Sequence, residues 1–175
     1  FFYKSPDLMD GLNVTLSYNP QAGNGGAASE MGYGFNYTGV EGLSLSYATS
    51  DVETGTASTS GDNTVYKGSY AYGPVTVSYS EMENSVAAAS NALDRTSTSY
   101  AVSYTVSDEL SLTYGSETHD KGDSTVDMEV EGFSASYTSG GMTVSAAMQS
   151  MDDGNFATAT NNDLDYWALG FSFAF

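Results

Sequence analysis

The sequence predicts an all-β fold, a transmembrane antiparallel up-and-down β-barrel in which each strand pairs with the next along the chain. Three observations predict it. Short segments alternate large apolar residues with small or hydroxyl-bearing ones, as strands with two different faces do. A strand motif recurs every 31 to 35 residues. Short turns alternate with longer polar loops along most of the chain.

The clearest alternation lies in the last nine residues, 167–175. Every second position there carries a large apolar side chain, and small residues lie between them; the large ones are Trp167, Leu169, Phe171, Phe173 and Phe175. In a strand this spacing places all five side chains on one face. Such a strand suits either the core of a soluble sandwich or a surface that faces lipid.

Five copies of one strand motif begin at positions 12, 43, 75, 110 and 142. A partner strand precedes each of the last four copies, and the C-terminal strand completes the fifth pair. The sequence therefore predicts ten strands, near 12–19, 29–38, 43–50, 63–72, 75–82, 95–107, 110–117, 127–138, 142–150 and 162–175. The predicted long loops are 20–28, 51–62, 83–94, 118–126 and 151–161. No segment has an apolar period typical of a helix.

The predicted strand 127–138 has a conflict of register. Phe133, Ala135 and Tyr137 place its apolar face on odd positions, which would direct Glu129 and Glu131 to the same side. Either a β-bulge near Gly132 or a membrane boundary at that level resolves the conflict, and the sequence leaves both open.

Composition narrows the class of protein. Charged residues make up 15% of the chain, yet 22 acids against four Lys and Arg give a net charge of −18. The shortage of basic residues argues against nucleic-acid binding. The chain has no Cys, which excludes disulfides, thiol nucleophiles and Cys-based zinc sites. It begins with Phe1 and has no signal segment, so we expect it to be processed or truncated at the front.

A barrel differs from a soluble β-sandwich in what its two faces contact. A barrel needs short turns on one side and long loops on the other, aromatic residues near the strand ends of the apolar face, and a wet opposite face. The loop pattern and the placement of tyrosines meet the first two conditions, and Ser, Thr and Asn residues meet the third. A closed barrel also satisfies every backbone polar group within hydrocarbon.

The segment Tyr3-Lys4-Ser5-Pro6, followed by Gly11 and by residues 17–20, resembles a turn of the Gram-negative general trimeric porins. The terminal strand 167–175 is similar to that of outer-membrane barrels, whose final Phe is read by the barrel-assembly machinery. The resemblance implies that residues 1–175 are the C-terminal part of a single porin barrel domain in the bacterial outer membrane. The full barrel would have about 16 strands, and residues 1–3 would end the strand before the ten counted here.

A porin barrel encloses water, so this resemblance implies passive diffusion of small hydrophilic solutes and ions, without enzymatic activity. The pore-lining residues we predict are mostly hydroxyl-bearing: Thr15, Ser17, Asn36, Ser46, Lys67, Ser78, Ser103, Thr113 and Ser145. Lys67 is the exception, and we predict that it either biases anion passage or is a solvated charge of little effect. The acid excess predicts a weak preference for cations.

Two alternatives from other functional classes remain open. A closed ten-stranded barrel that resembles the omptin surface proteases would need an acid and a His at its rim, and His119 lies beside Glu117 and Asp120. A lone loop His is more often solvated than catalytic. The second alternative is an adhesin or receptor whose barrel only displays its loops.

We expect membrane lipid, lipopolysaccharide and the barrel-assembly machinery as partners, and a homotrimer by resemblance. The ridge of Trp167, Leu169, Phe171 and Phe173 would face a neighbouring subunit or lipid. Seventeen of the 22 acids lie on the long-loop side and five on the short-turn side. We expect no cofactor, although Ca²⁺ or Mg²⁺ could bind the acidic loops and bridge to lipopolysaccharide.

Overall fold

The computed structural model describes residues 1–20, 29–56, 59–88, 91–158 and 162–174. These residues form one sheet of eleven strands in which every strand pairs with its neighbours in chain order. The strands are β1 (Phe2–Lys4), β2 (Leu12–Asn19), β3 (Ser29–Tyr37), β4 (Leu43–Glu53), β5 (Gly61–Tyr72), β6 (Val75–Val86), β7 (Arg95–Thr105), β8 (Leu110–Lys121), β9 (Met128–Ser139), β10 (Met142–Asp152) and β11 (Leu164–Phe173). All pairs are antiparallel.

The predicted up-and-down order is therefore confirmed: the ten predicted strands are present, and β1 lies before them, where the end of a preceding strand was expected at residues 1–3. β1 and β11 are the edges of the sheet. Two single 3₁₀ turns, Asn91–Leu93 and Gly154–Phe156, interrupt the loops. No helix among the described residues is long and apolar enough to cross a membrane. Phe175 and loop residues 21–28, for which we made predictions, lie outside the described residues.

The predicted long loops were drawn too wide, because several strands continue into them. β4 runs to Glu53, β6 to Val86 and β8 to Lys121, and each remains paired with one neighbouring strand to its last residue. These strand ends, 51–53, 83–86 and 118–121, are mostly polar or charged and lack the apolar alternation used to place the boundary. A backbone ladder requires only paired N–H and C=O groups, so polar residues extend it as well as apolar ones.

The bulge considered near Gly132 is absent from β9. Consecutive residues from Glu129 to Ser139 pair one to one with β10, and the pairing with β8, from Met128 to Tyr137, is equally regular. Glu129 and Glu131 consequently share a face with Phe133. The membrane-boundary alternative is the one that remains for this strand.

The two faces of the sheet differ in size and chemistry. One face, called here the aromatic face, carries large apolar side chains such as Val14, Phe35, Tyr47, Val77 and Phe171, which lie on the same side by register. The other, the hydroxyl face, carries mainly Ser, Thr, Asn, Gly and Ala. No large side chain among the described residues is fully buried.

The aromatic face is open rather than packed against a second layer. Phe35 is 40% exposed, Val77 and Tyr104 are each 45% exposed, and Phe171 is 61% exposed. A sandwich would bury these side chains in a dry core between two sheets. Neighbouring rings on this face contact one another, with centroids 5.3 Å apart for Tyr47 and Tyr66 and 5.1 Å apart for Tyr79 and Tyr100.

The first turn holds the edge strand through backbone contacts. Ser5 N donates to Val14 O at 2.8 Å, and Val14 N donates to Ser5 Oγ at 2.9 Å. The buried Ser5 hydroxyl therefore has a hydrogen-bond partner. Gly11 has a φ of +69° and lies against the turn after β3; a Cβ there would be 2.3 Å from Gly39 N. Only glycine fits both the backbone conformation and the space.

Replacement of Gly11 by alanine is expected to destabilise the barrel by more than the same change at Gly73. Gly73 has a φ of +57° but nothing within 4 Å of a built Cβ, so it isolates the conformational cost of about 1–2 kcal/mol. Gly11→Ala adds a backbone clash, worth about 1–3 kcal/mol more. Urea unfolding in detergent micelles measures both variants; equal losses would show that the contact with Gly39 contributes nothing.

Candidate functional site

All nine residues predicted to line a pore lie on the hydroxyl face. Register places Thr15 with Gly34, Ser46 with Asn36 and Lys67, Ser78 with Ser69, and Ser103 with Thr113. Ser17 and Ser145 follow the same parity in β2 and β10. The structure thus brings these side chains to one side of one sheet.

Polar side chains on this face bond to one another across neighbouring strands. Ser46 Oγ donates to Asn36 Oδ1 at 2.8 Å, and Asn36 Nδ2 reaches Asn13 Oδ1 at 3.4 Å. Further along the sheet, Ser103 Oγ and Thr113 Oγ1 are 2.9 Å apart. Hydroxyl and amide groups have both donors and acceptors, so such a face can exchange bonds with water at little cost. The hydroxyl face is therefore suited to contact with water.

Three basic residues on the hydroxyl face were missed at the level of sequence. Lys4 pairs with Thr15, while Arg95 pairs with both Asn84 and Lys121, so all three share the side that carries Lys67. The alternation of Ser97, Ser99 and Ser103 with Arg95 was a sufficient signal for Arg95. Lys121 fell in a segment predicted to be loop, and no face was assigned to it.

Two of these cations are held by local contacts. Lys121 Nζ lies 2.9 Å from Asp123 Oδ1, and this hydrogen bond lowers the pKa of the Asp123 carboxyl below its ordinary value. Arg95 donates to the carbonyl oxygens of Ala92 and Asp94, and its guanidinium lies 5.9 Å from the ring centre of Phe156. These contacts hold the Lys121 and Arg95 side chains against neighbouring loop residues at the long-loop ends of their strands.

Ten carboxylates occupy the aromatic face at the long-loop ends of the strands, and this set is called here the acidic rim. Its members are Asp51, Glu53, Asp62, Glu81, Glu83, Asp120, Glu129, Glu131, Asp152 and Asp165. The hydroxyls of Tyr79 and Tyr114 bond to Glu81 and Glu131 respectively. The apolar band of the aromatic face therefore ends at a level where tyrosines meet carboxylates, as an interfacial girdle does.

His119 joins a short chain of hydrogen bonds on the hydroxyl face. Its Nδ1 lies 2.8 Å from Ser97 Oγ and its Nε2 lies 2.9 Å from Glu117 Oε1. Ser97 and His119 are direct partners in the ladder, so the register alone brings them together. Asp120, the second acid considered for catalysis, points to the opposite face.

Among the described residues, the backbone around this pair offers no oxyanion site for acyl transfer. An acyl-transfer site needs N–H donors aimed at the developing oxyanion. β7 and β8 are interior strands, so their backbone N–H groups around Ser97 and His119 are used by the ladder. The arrangement does not favour the protease alternative. Among the described residues there is also no group of three or more His, Cys, Asp or Glu side chains that could hold a metal ion.

Comparisons with known proteins agree with this geometry. A family model described as Gram-negative porin matches residues 1–132. A solved porin structure is similar at 16% identity with a TM-score of 0.73, over 99% of this chain and 60% of that chain. A loop-deletion mutant of OmpT, an outer membrane protein of Vibrio cholerae, is similar at 17% identity with a TM-score of 0.66, over 98% of this chain and 61% of that one. No curated protein matches the chain.

The two structural likenesses, at these identities, show the fold alone. The chain spans about 60% of the length of those solved structures. The family model, in contrast, is matched by most of the sequence, from β1 into β9. The chain therefore belongs to the Gram-negative porin family and is an outer-membrane porin.

Proposed function

We propose that this chain is the C-terminal part of a porin barrel that forms a water-filled channel for passive diffusion of small hydrophilic solutes and ions. The observation that carries the proposal is the inverted distribution of side chains. Large apolar residues stand exposed on one face, and hydrogen-bonded hydroxyls cover the other. In a membrane, the first face would contact acyl chains and the second would enclose water.

The chain would supply most but not all of the barrel wall. β1 and β11 are open edges, and an exposed edge strand in lipid would leave backbone groups unpaired. Further strands from the same polypeptide would pair with these edges and close the barrel. This arrangement does not favour the ten-stranded closed alternative, because β1 adds an eleventh strand and, among the described residues, β1 and β11 do not pair with each other.

Other expectations from the sequence stay predictions. They include the homotrimer, contacts with lipopolysaccharide, loop-bound Ca²⁺ or Mg²⁺, and recognition of residues 167–175 by the assembly machinery. Trp167 is 75% exposed and Phe171 is 61% exposed, so these two side chains of β11 are accessible to lipid or to a neighbouring subunit. The cation preference expected from net charge also stays a prediction.

Reconstitution of the full-length protein into planar lipid bilayers tests the channel directly. We expect stepwise increases in conductance that scale with salt concentration, since a wet lumen conducts in proportion to its ions. Liposomes that contain the protein should also swell in isosmotic small sugars. Heat-denatured protein is the control. A folded protein that gives neither conductance nor swelling would leave the display of loops as the better explanation.

A further inference from the structure

The sheet sorts its charges by face. Every charged side chain of the sequence falls within the described residues, so the sorting can be followed in full. All four basic residues, Lys4, Lys67, Arg95 and Lys121, lie on the hydroxyl face. Within the strands, that face holds only two acids, Glu30 and Glu117, while the ten acids of the acidic rim lie on the other face. The net charge of −18 is therefore a poor guide to the hydroxyl face.

Lys67 is the basic residue best placed to act on a passing solute. It lies within β5, away from the strand ends, and its side chain is exposed. Its partners in the ladder are Ser46 and Ser80. The hollow around it is lined by serine hydroxyls, those of Ser44, Ser46, Ser69, Ser78, Ser80 and Ser99. An ammonium among hydroxyl groups offers several donors to one anion.

No carboxylate of the described residues neutralises Lys67. The ion pairs of the described residues join Lys121 with Asp123 and His119 with Glu117, and neither includes Lys67. Glu117 lies on the same row of the hydroxyl face but three strands away, at roughly 14 Å by strand spacing. It is also bonded to Ser99 and His119. At physiological salt, screening removes most of an interaction over that distance.

The nearest acids along the chain of strands point away from Lys67. Glu81 and Glu83 are in β6, next to β5, but they pair with Tyr66 and Thr64 on the aromatic face. Their charges are separated from the hydroxyl face by the thickness of the sheet. Lys121 and Arg95, by contrast, are occupied by Asp123 and by loop carbonyls. Lys67 is thus a cation that a diffusing ion can approach from solvent.

We infer that the hollow around Lys67 is a binding site for small anions, of the carboxylate or phosphate class, on the pore wall that this chain forms. The inference rests on the proposed channel and names its solute class. A preference for anions is the opposite of the cation preference expected from net charge. The difference arises because the acidic rim lies outside the lumen and Lys67 lies inside it. A narrow polar passage concentrates ions of the sign opposite to its exposed charge.

Reversal potentials across planar bilayers with a KCl gradient test this inference on the full-length protein. Lys67→Glu is expected to shift the permeability ratio toward K⁺ by roughly three- to tenfold, since it reverses a charge within a few ångströms of the passing ion. Lys67→Gln should give a smaller shift in the same direction. The matched control is Glu83→Gln, which removes a charge from the opposite face of the adjacent strand and should leave the ratio unchanged.

A second measurement addresses binding itself. Inorganic phosphate added to the chloride solution should reduce single-channel current in the wild type, and Lys67→Gln should weaken this block several-fold. An unchanged permeability ratio in a conducting Lys67→Glu channel would overturn the inference while leaving the porin function intact. A shift from Glu83→Gln toward Cl⁻ that is as large as the shift from Lys67→Gln toward K⁺ would also overturn it, since selectivity would then follow total charge. Absence of any conductance in the wild type would reject the proposed function itself.

Discussion

Replacement of Val77 by arginine is expected to lower the free energy of unfolding in a lipid bilayer by about 2–4 kcal/mol, which is the cost of a basic side chain near the bilayer midplane on a barrel's outer surface. Val77 lies in the apolar band of β6, pairs with Tyr70 and Val102, and is 45% exposed. In the proposed orientation that exposure is to acyl chains. A soluble sheet with one solvated face would lose almost nothing from this change.

The adjacent Ser78 is the matched control for this substitution. It lies on the same strand and pairs with Ser69 and Ala101, but on the hydroxyl face. Ser78→Arg is expected to change the unfolding free energy by less than about 0.5 kcal/mol, as surface substitutions in water do. Equilibrium unfolding by guanidinium in phospholipid vesicles measures both variants. If Ser78→Arg proved the more damaging of the two, the assignment of the faces would be reversed.

A second large effect is expected from the depth in the bilayer at which an arginine is introduced along β9. Ala135 lies between Phe133 and Tyr137 on the aromatic face and pairs with Leu112 and Ala146. Ala135→Arg should cost about 2–4 kcal/mol because it places a cation within the apolar band. Six residues along the same strand and on the same face, Glu129→Arg should cost only about 0–1 kcal/mol, since the acidic rim lies above that band.

This pair of variants tests the boundary that resolves the register conflict of β9. The two positions share a strand and a face and are separated by roughly 20 Å along the strand. Because the introduced side chain is the same, the difference between them reports mainly depth, although the residue replaced is neutral at 135 and acidic at 129. The same vesicle unfolding assay applies, with heat-modifiable migration on gels as a check that each variant folds. Similar costs at both positions would mean that the apolar band extends over Glu129, and the proposed boundary would be misplaced.

The strand order and the faces were predictable because a period of two is preserved in the apolar part of each of the ten predicted strands. Where Phe133, Ala135 and Tyr137 alternate with Ser134 and Ser136, the sequence states which side chains share a side. The ends of the strands were not predictable in the same way. Beyond Glu117, β8 continues to Lys121 through polar residues that would suit a loop equally well, and only the backbone ladder distinguishes the two.

Because the strand ends were not predictable, the faces on which many charged side chains lie were not predictable either. Acids were assigned to the long-loop side of the chain, which is the end where the acidic rim lies, but not to a face of the sheet. Asp51, Glu83 and Asp120 fell in predicted loops and had no face until their strands were extended. Lys67, inside a predicted strand, was placed on the hydroxyl face from parity with Val65 and Ser69. The sequence therefore predicted the hydroxyl face, but not that basic side chains lie on that face while most strand acids lie on the aromatic face.

Collision accessibility of spin labels at two neighbouring positions tests the central claim most directly. The chain has no Cys, so single cysteines at Val102 and Ser103 of β7 can be labelled selectively within it. In proteoliposomes, we predict that the label at 102, on the aromatic face, collides mainly with lipid-soluble oxygen. The label at 103, on the hydroxyl face, should collide mainly with a water-soluble nickel chelate. The reverse pattern, or two labels shielded from both reagents as in a dry core, would contradict the account.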